Sequence, residues 1–252
     1  MRPWLLCVLA AGCARAGAQS PSVPPPAGAP APAGGPAQAR APTRFSDTLS
    51  FDRPQYASTY RRRPNPPVLI RNATVLTATG QELANASVLF RDGKIVAVGR
   101  DLGAPADASL QVVDGTGKFV TPGLIDTHSH LGVYAAPGTQ AESDGNEATN
   151  PVTAEVWAEH SIWPQDPQIP LAIAGGVTVM QVLPGSANLI GGRSAVVRLV
   201  PARTVQEMKF PGAPYGVKMA CGENPKRVYQ NRGPSTRMGN MAGYRAAFIQ
   251  AE

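Results

Sequence analysis

Apolar and polar positions divide the chain into stretches of different period. Residues 1–18 start with Arg2, run apolar from Trp4 to Ala11 and close on the small residues Ala16-Gly17-Ala18. From 19 to 67 no period is visible. At Val68 short β-type runs begin: Val68 to Thr77, Ala86 to Phe90, Lys94 to Val98, Leu110 to Asp114 and Lys118 to Val120. Arg91-Asp92-Gly93 between two of them is a hairpin signal, because glycine accepts the positive φ of such turns. The stretch 68–120 predicts a small, β-sandwich-like domain of short antiparallel strands. Beyond 121 the pattern changes. Leu124 and Ile125 read as a fully buried strand. Asp166 as N-cap and Pro167 at the first position predict a helix that stops at Gly175-Gly176, and Val177 to Leu183 predicts a second, parallel strand. Strand, helix and strand in that order, with continuous apolar strands, argue for an α/β fold and a parallel barrel. Ser235 predicts the cap of a last helix running to Glu252, with Met238, Met241, Ala242, Phe248 and Ile249 as its core face.

Composition sharpens the first two stretches. The leader has the charge, apolar run and A-x-A ending of a secretory signal peptide at 1–18, and its apolar run is too short to span a bilayer. Leu9-Ala10-Ala11-Gly12-Cys13 also resembles a bacterial lipobox, which would anchor the chain through a lipid on Cys13. The expected localisation is therefore exported, periplasmic or extracellular, with lipid anchoring as the alternative. Residues 19–67 are rich in Ala, Pro and Gly and predict a disordered spacer that cannot bury enough apolar surface to fold. The chain carries a net charge of +6. Several of those cations sit between Arg40 and Arg63, a stretch that reads as a solvated tail, which argues against nucleic acid as a partner. Outside the leader Cys221 stands alone, so no internal disulfide is expected.

The chemistry concentrates in Val120-Thr121-Pro122-Gly123-Leu124-Ile125-Asp126-Thr127-His128-Ser129-His130. Residues i and i+2 of a strand share a face, so His128 and His130 project together and can share one metal ion, for which imidazole is a good ligand. Asp126 is expected beside them, either orienting a histidine or capping the strand. The string resembles the first barrel strand of the amidohydrolase superfamily, with its P-G-x-I-D-x-H-x-H pattern. The resemblance implies a (β/α)8 TIM-type barrel and a divalent metal, one or two ions, zinc first among them. It also implies a metal-activated water that hydrolyses a C–N bond of an amide, a cyclic amide or a dipeptide-like small molecule.

Two later strings resemble the imidazolonepropionase- and prolidase-like members of that superfamily. Pro184 to Arg193 is a glycine-rich loop in which Asn188 and Arg193 are candidate substrate-binding residues, the latter for a carboxylate. Tyr215 to Arg227 holds Lys218 and Glu223. Superfamily members use a carboxylated lysine or a glutamate as a further metal ligand, and both candidates stay open. Strand alternation turns Lys218 away from Val217 and Met219, and the expectation is that it points inward, where an unmodified amine is costly. Far fewer residues follow Thr121 than the about 250 of a complete barrel. The residues 121–252 thus read as the N-terminal part of an incomplete barrel, with the remaining histidines and the aspartate general base expected beyond Glu252. Such a part is expected to be inactive alone, and a homo-oligomer is conceivable at full length. A heterocycle deaminase of the same fold and a non-catalytic exported binding protein are the alternatives.

Overall fold

The computed structural model describes residues 56–252. The signal at 1–18, Cys13 and residues 19–55 of the expected spacer lie outside the described residues. Residues 56–67 have no regular secondary structure beyond a turn at Tyr56, yet they are held. Ser58 Oγ donates to the Lys209 carbonyl at 2.6 Å, Thr59 N to Gln206 O at 2.9 Å, and the Arg63 guanidinium to Pro201 O at 3.0 Å.

Five strands follow: β1 (Val68–Leu76), β2 (Glu82–Arg91), β3 (Lys94–Gly99), β4 (Gln111–Asp114) and β5 (Phe119–Val120). They form one sheet in the order β3-β2-β1-β4, with β5 also on β1. The β2–β3 turn has Asp92 and Gly93 at φ 52 and 63, the left-handed pair that the Asp-Gly reading requires. The sheet is mixed rather than all antiparallel. β1–β2 and β2–β3 are antiparallel, whereas β4 and β5 run parallel to β1. The residues 100–110 carry the chain back across the sheet, so β4 enters in the direction of β1. Alternation along β1 and β2 buries Ala73, Val75, Ala86 and Val88, with Ile70, Leu83, Phe90 and Val120 packed against them. Full burial of each valine contributes about 1.5–3 kcal/mol. At Gly115 a Cβ would stand 2.8 Å from that of Ala73 and 2.9 Å from Arg71 O, so β4 can close on β1 only with glycine there.

The second region has β6 (Leu124–Ser129), α1 (Gln168–Ala174), β7 (Val177–Val182), β8 (Ile190–Arg193), β9 (Ala195–Arg198), α2 (Val205–Met208), β10 (Val217–Met219), α3 (Glu223–Val228) and α4 (Arg237–Ala251). β6 and β7 pair in parallel across α1, as the strand–helix–strand pattern predicts, and β9 adds antiparallel to β7. β8 and β10 form a separate antiparallel pair. The core gathers Val133, Ile162, Ile169, Met180, Val182, Val197 and Met208. The chain is thus a mixed α/β protein. Among the described residues no helix is long and apolar enough to cross a membrane.

Four further expectations need correction. Leu124 and Ile125 are exposed, at 57% and 68%, because β6 pairs with β7 alone among the described strands. α1 begins after Pro167, and Asp166 caps it by accepting from Gln168 N at 3.0 Å. α4 is capped by Thr236, whose Oγ1 accepts from Gly239 N at 3.0 Å, and not by Ser235. Its expected core face is also exposed: Met238, Met241, Phe248 and Ile249 point away, while Asn240 and Tyr244 are buried. Tyr244 and Ala247 meet Leu189 and Ile190, so contacts to the strand β8 choose the buried face, not the methionines.

Candidate metal centre

His128 lies within β6 and His130 one residue past its end. Their rings stand edge to face, centroids 5.2 Å apart, as the i, i+2 spacing requires. The two are held differently. His130 Nδ1 sits 2.9 Å from the Leu183 carbonyl at the end of β7. A carbonyl only accepts, so Nδ1 donates and the lone pair of the neutral ring is on Nε2, open to the site. Leu183 N in turn donates to Ser129 O at 2.9 Å, which ties the carbonyl to the end of the histidine strand.

His128 faces Lys218. Along β10 the exposure alternates, with Lys218 buried between the exposed Val217 and Met219, as strand alternation predicts. Its Nζ lies 3.0 Å from His128 Nε2, and β10 is brought there by pairing Lys218 with Gly192 of β8. Burial lowers the Lys218 pKa. The Lys218 charge, then burial and the charge on His130, lower that of His128, against the opposing pull of Asp126. Both groups are therefore biased toward their neutral, lone-pair-bearing forms. Among the described residues no carboxylate is ion-paired to Lys218. No three His, Cys, Asp or Glu side chains gather there either. The donors present are thus two imidazoles and a buried amine, and they suit a divalent ion if the amine carries a carboxylate.

The other expected residues have different surroundings. Asp126 Oδ1 accepts from His128 N at 3.0 Å, so it fixes the main chain of the histidine and not a ring. Glu223 opens α3 with a side chain 79% exposed and pairs with Lys226 at 2.7 Å, which leaves Lys218 as the candidate brought to the histidines. Asn188 is buried and donates to the carbonyls of Glu147 and Asn150 at 2.6 and 2.8 Å, spending its amide on the loop before Pro151. Arg193 lies 4.9 Å above the Trp157 ring. His160, a lone histidine in the loop after β6, stacks on Trp157 and meets Tyr56 edge to face.

Two residues at this centre escaped sequence reasoning. Asp166, read only as a helix cap, is fully buried and also accepts from Gly132 N and Ala136 N at 2.9 and 3.3 Å, fixing the loop that leaves His130. Tyr134 sets its ring edge to face against His130, centroids 5.8 Å apart. Its hydroxyl bonds Asn146 and lies against Gly145 and Gly185. A tyrosine four residues after the H-x-H pair was the only signal available. Beside it a cavity of about 230 Å³ is lined by Asp144, Asn146, Trp157, Ser161, Pro184 and Gly191 among others.

No family model matches the chain. It is 36% identical over 213 residues to the amidohydrolase tasK of Hapsidospora irregularis, covering 73% of this chain and 22% of that protein. Over 81 residues it is 40% identical to a D-hydantoinase of Geobacillus stearothermophilus, 32% of this chain and 16% of that one. The crystal structure of an amidohydrolase from Thermotoga maritima shares 44% identity and a TM-score of 0.66, over 73% of this chain and 47% of the other. The chain therefore spans less than half the length of each of these relatives.

Proposed function

We propose that this chain, which belongs with the amidohydrolase superfamily over the residues it shares with these relatives, contributes the first metal ligands of a hydrolase acting on a C–N bond. The observation that carries the reading is the buried Lys218 amine, 3.0 Å from His128 Nε2 and without an ion-paired carboxylate among the described residues. In this reading 68–120 is the small β-sandwich-like domain, and β6, α1 and β7 open a (β/α)8 barrel. His128, His130 and Lys218 are the ligands within the chain, and zinc, as one or two ions, is the metal that suits the imidazoles. When bound, such an ion polarises the scissile carbonyl and lowers the pKa of a water toward neutrality.

The residues divide the remaining work. His130 presents Nε2 because Leu183 holds Nδ1. Lys218, biased to its neutral amine, is the form that adds to carbon dioxide: a bond forms from Nζ to carbon, one proton leaves, and a carbamate oxygen becomes available as ligand. Asp126 keeps the strand in register at His128. The cavity beside Asn146 takes a small amide, cyclic amide or dipeptide. Residues 1–18 direct export, with release after Ala18 or lipidation at Cys13.

The test is metal analysis of the full-length protein with hydrolysis of hydantoin, dihydrouracil, N-acetyl amino acids and dipeptides. One or two divalent ions per chain and release of a carboxylate are expected. An active enzyme without metal overturns the reading. Ammonia released from an adenosine ring instead would assign the deaminase alternative.

A further inference from the structure

The Tyr134 hydroxyl has its hydrogen-bond polarity set by the fold. Asn146 touches two partners. Its Oδ1 faces the Ala187 N–H at 3.0 Å, and a backbone N–H can only donate, so this end of the amide must be the oxygen. The other end, Nδ2, therefore faces Tyr134 Oη as a donor. Tyr134 Oη accepts that bond, and its own O–H proton is left to donate elsewhere. The glycines beside it are needed for this arrangement. A Cβ on Gly185 would collide with both the Tyr134 hydroxyl and the Asn146 amide, and one on Gly145 would stand 2.6 Å from Tyr134 Oη. Two loops that follow different strands thus thin to bare backbone around one hydroxyl. That hydroxyl belongs to a ring packed on His130, next to the cavity lined by Asn146 and Pro184.

We infer that Tyr134 is a hydrogen-bond donor to the carbonyl oxygen of the bound amide, strengthening as that oxygen gains charge. Asn146 is its positioning residue. The inference rests on the metal-centre reading above. A donor held ready before the substrate arrives costs no reorganisation, and removal of one such donor typically lowers kcat about 10²–10³-fold.

The experiment uses the full-length, zinc-loaded protein. Hydrolysis is measured on the panel above, zinc content by metal analysis, and binding of a phosphinic dipeptide analogue, a tetrahedral anion, by calorimetry. Tyr134→Phe keeps the ring on His130; kcat should fall on the order of 10²-fold with KM within about threefold. Zinc content should stay unchanged and the phosphinate should bind at least about tenfold more weakly. Asn146→Asp keeps the shape but its carboxylate cannot donate, so it captures the Tyr134 proton. The same loss is expected although the tyrosine is still present, which a purely structural tyrosine would not show. Unchanged kcat and phosphinate affinity in Tyr134→Phe overturn the inference alone. So does a Tyr134→Phe protein that loses zinc, since the ring would then be acting on the metal centre. A wild-type protein that neither holds metal nor hydrolyses any probe overturns the metal-centre reading and this inference with it.

Discussion

The two sides of the candidate centre are built on different principles. On the His130 side, positions are set by backbone and by buried groups: the Leu183 carbonyl on Nδ1, Asp166 beneath the loop from Gly132 to Ala136, and Met180 and Val182 behind them, each about 1% exposed. On the His128 side, Nε2 meets the Lys218 amine, on a short strand pair whose residues Val217 and Met219 are exposed. One side is rigid before any ligand arrives. The other is organised around a group whose chemical state can change. The division suits a centre in which one ligand is fixed by the fold and another is completed by modification.

The contrast is sharpest at Lys218. Lys218→Met in the full-length protein should abolish stoichiometric metal binding and lower activity by more than about 100-fold, while the unfolding midpoint of the metal-free protein stays level or rises, because a buried amine without an ion-paired carboxylate among the described residues is removed. Metal analysis beside chemical denaturation separates the two effects. A large loss of stability would erase the distinction between the sides. Asp166→Ala is the opposite case. It strands the buried N–H of Gly132 and the half-buried one of Gln168, and denaturation should show a loss of about 3 kcal/mol.

Gly185→Ala should cost about 1–3 kcal/mol, because the added Cβ meets Tyr134 and Asn146. Its fall in kcat should match that of Tyr134→Phe. The smallest effect is expected on the Lys218 side. The Tyr244 hydroxyl donates to Leu189 O at 3.1 Å and ties α4 to the approach to β8, so Tyr244→Phe should cost about 1 kcal/mol in thermal unfolding. Burial raises the Tyr244 pKa. The folded state keeps a proton that the unfolded chain releases near pH 10, so this contribution is whole below about pH 10 and fades as pH climbs through the folded value. The phenylalanine variant should show a shallower alkaline loss.

Legibility followed the range of the interactions. His128 and His130 are two apart on one strand, and period two alone puts them together. The burial of Lys218 was readable from strand alternation, although only the β8–β10 pairing shows that Lys218, and not Glu223, reaches His128. Tyr134 was not readable, because its role depends on Gly145, Asn146, Gly185 and Ala187, which a linear pattern does not connect. The exposed Leu124, Ile125, Met238 and Phe248 show another limit: an apolar period states that a face seeks cover, not which chain supplies it. The mixed sheet was missed because no local signal tells a returning strand from an antiparallel one.

β1 pairs antiparallel with the nearby β2 but parallel with β4 and β5, whose partners Val68–Gln111 and Thr74–Phe119 lie far apart in sequence. Seen in the order of synthesis, β1 to β3 can meet as soon as they emerge, whereas the second edge of β1 waits first for β4 and then for β5. Only Thr121, Pro122 and Gly123 then separate β5 from β6, and Gly123 is pressed against the Thr178 side chain on β7. A link of three residues therefore ties the last strand of the first sheet to the strand that carries His128. A chain begun at residue 121 would have to find the β6 register with no template behind it.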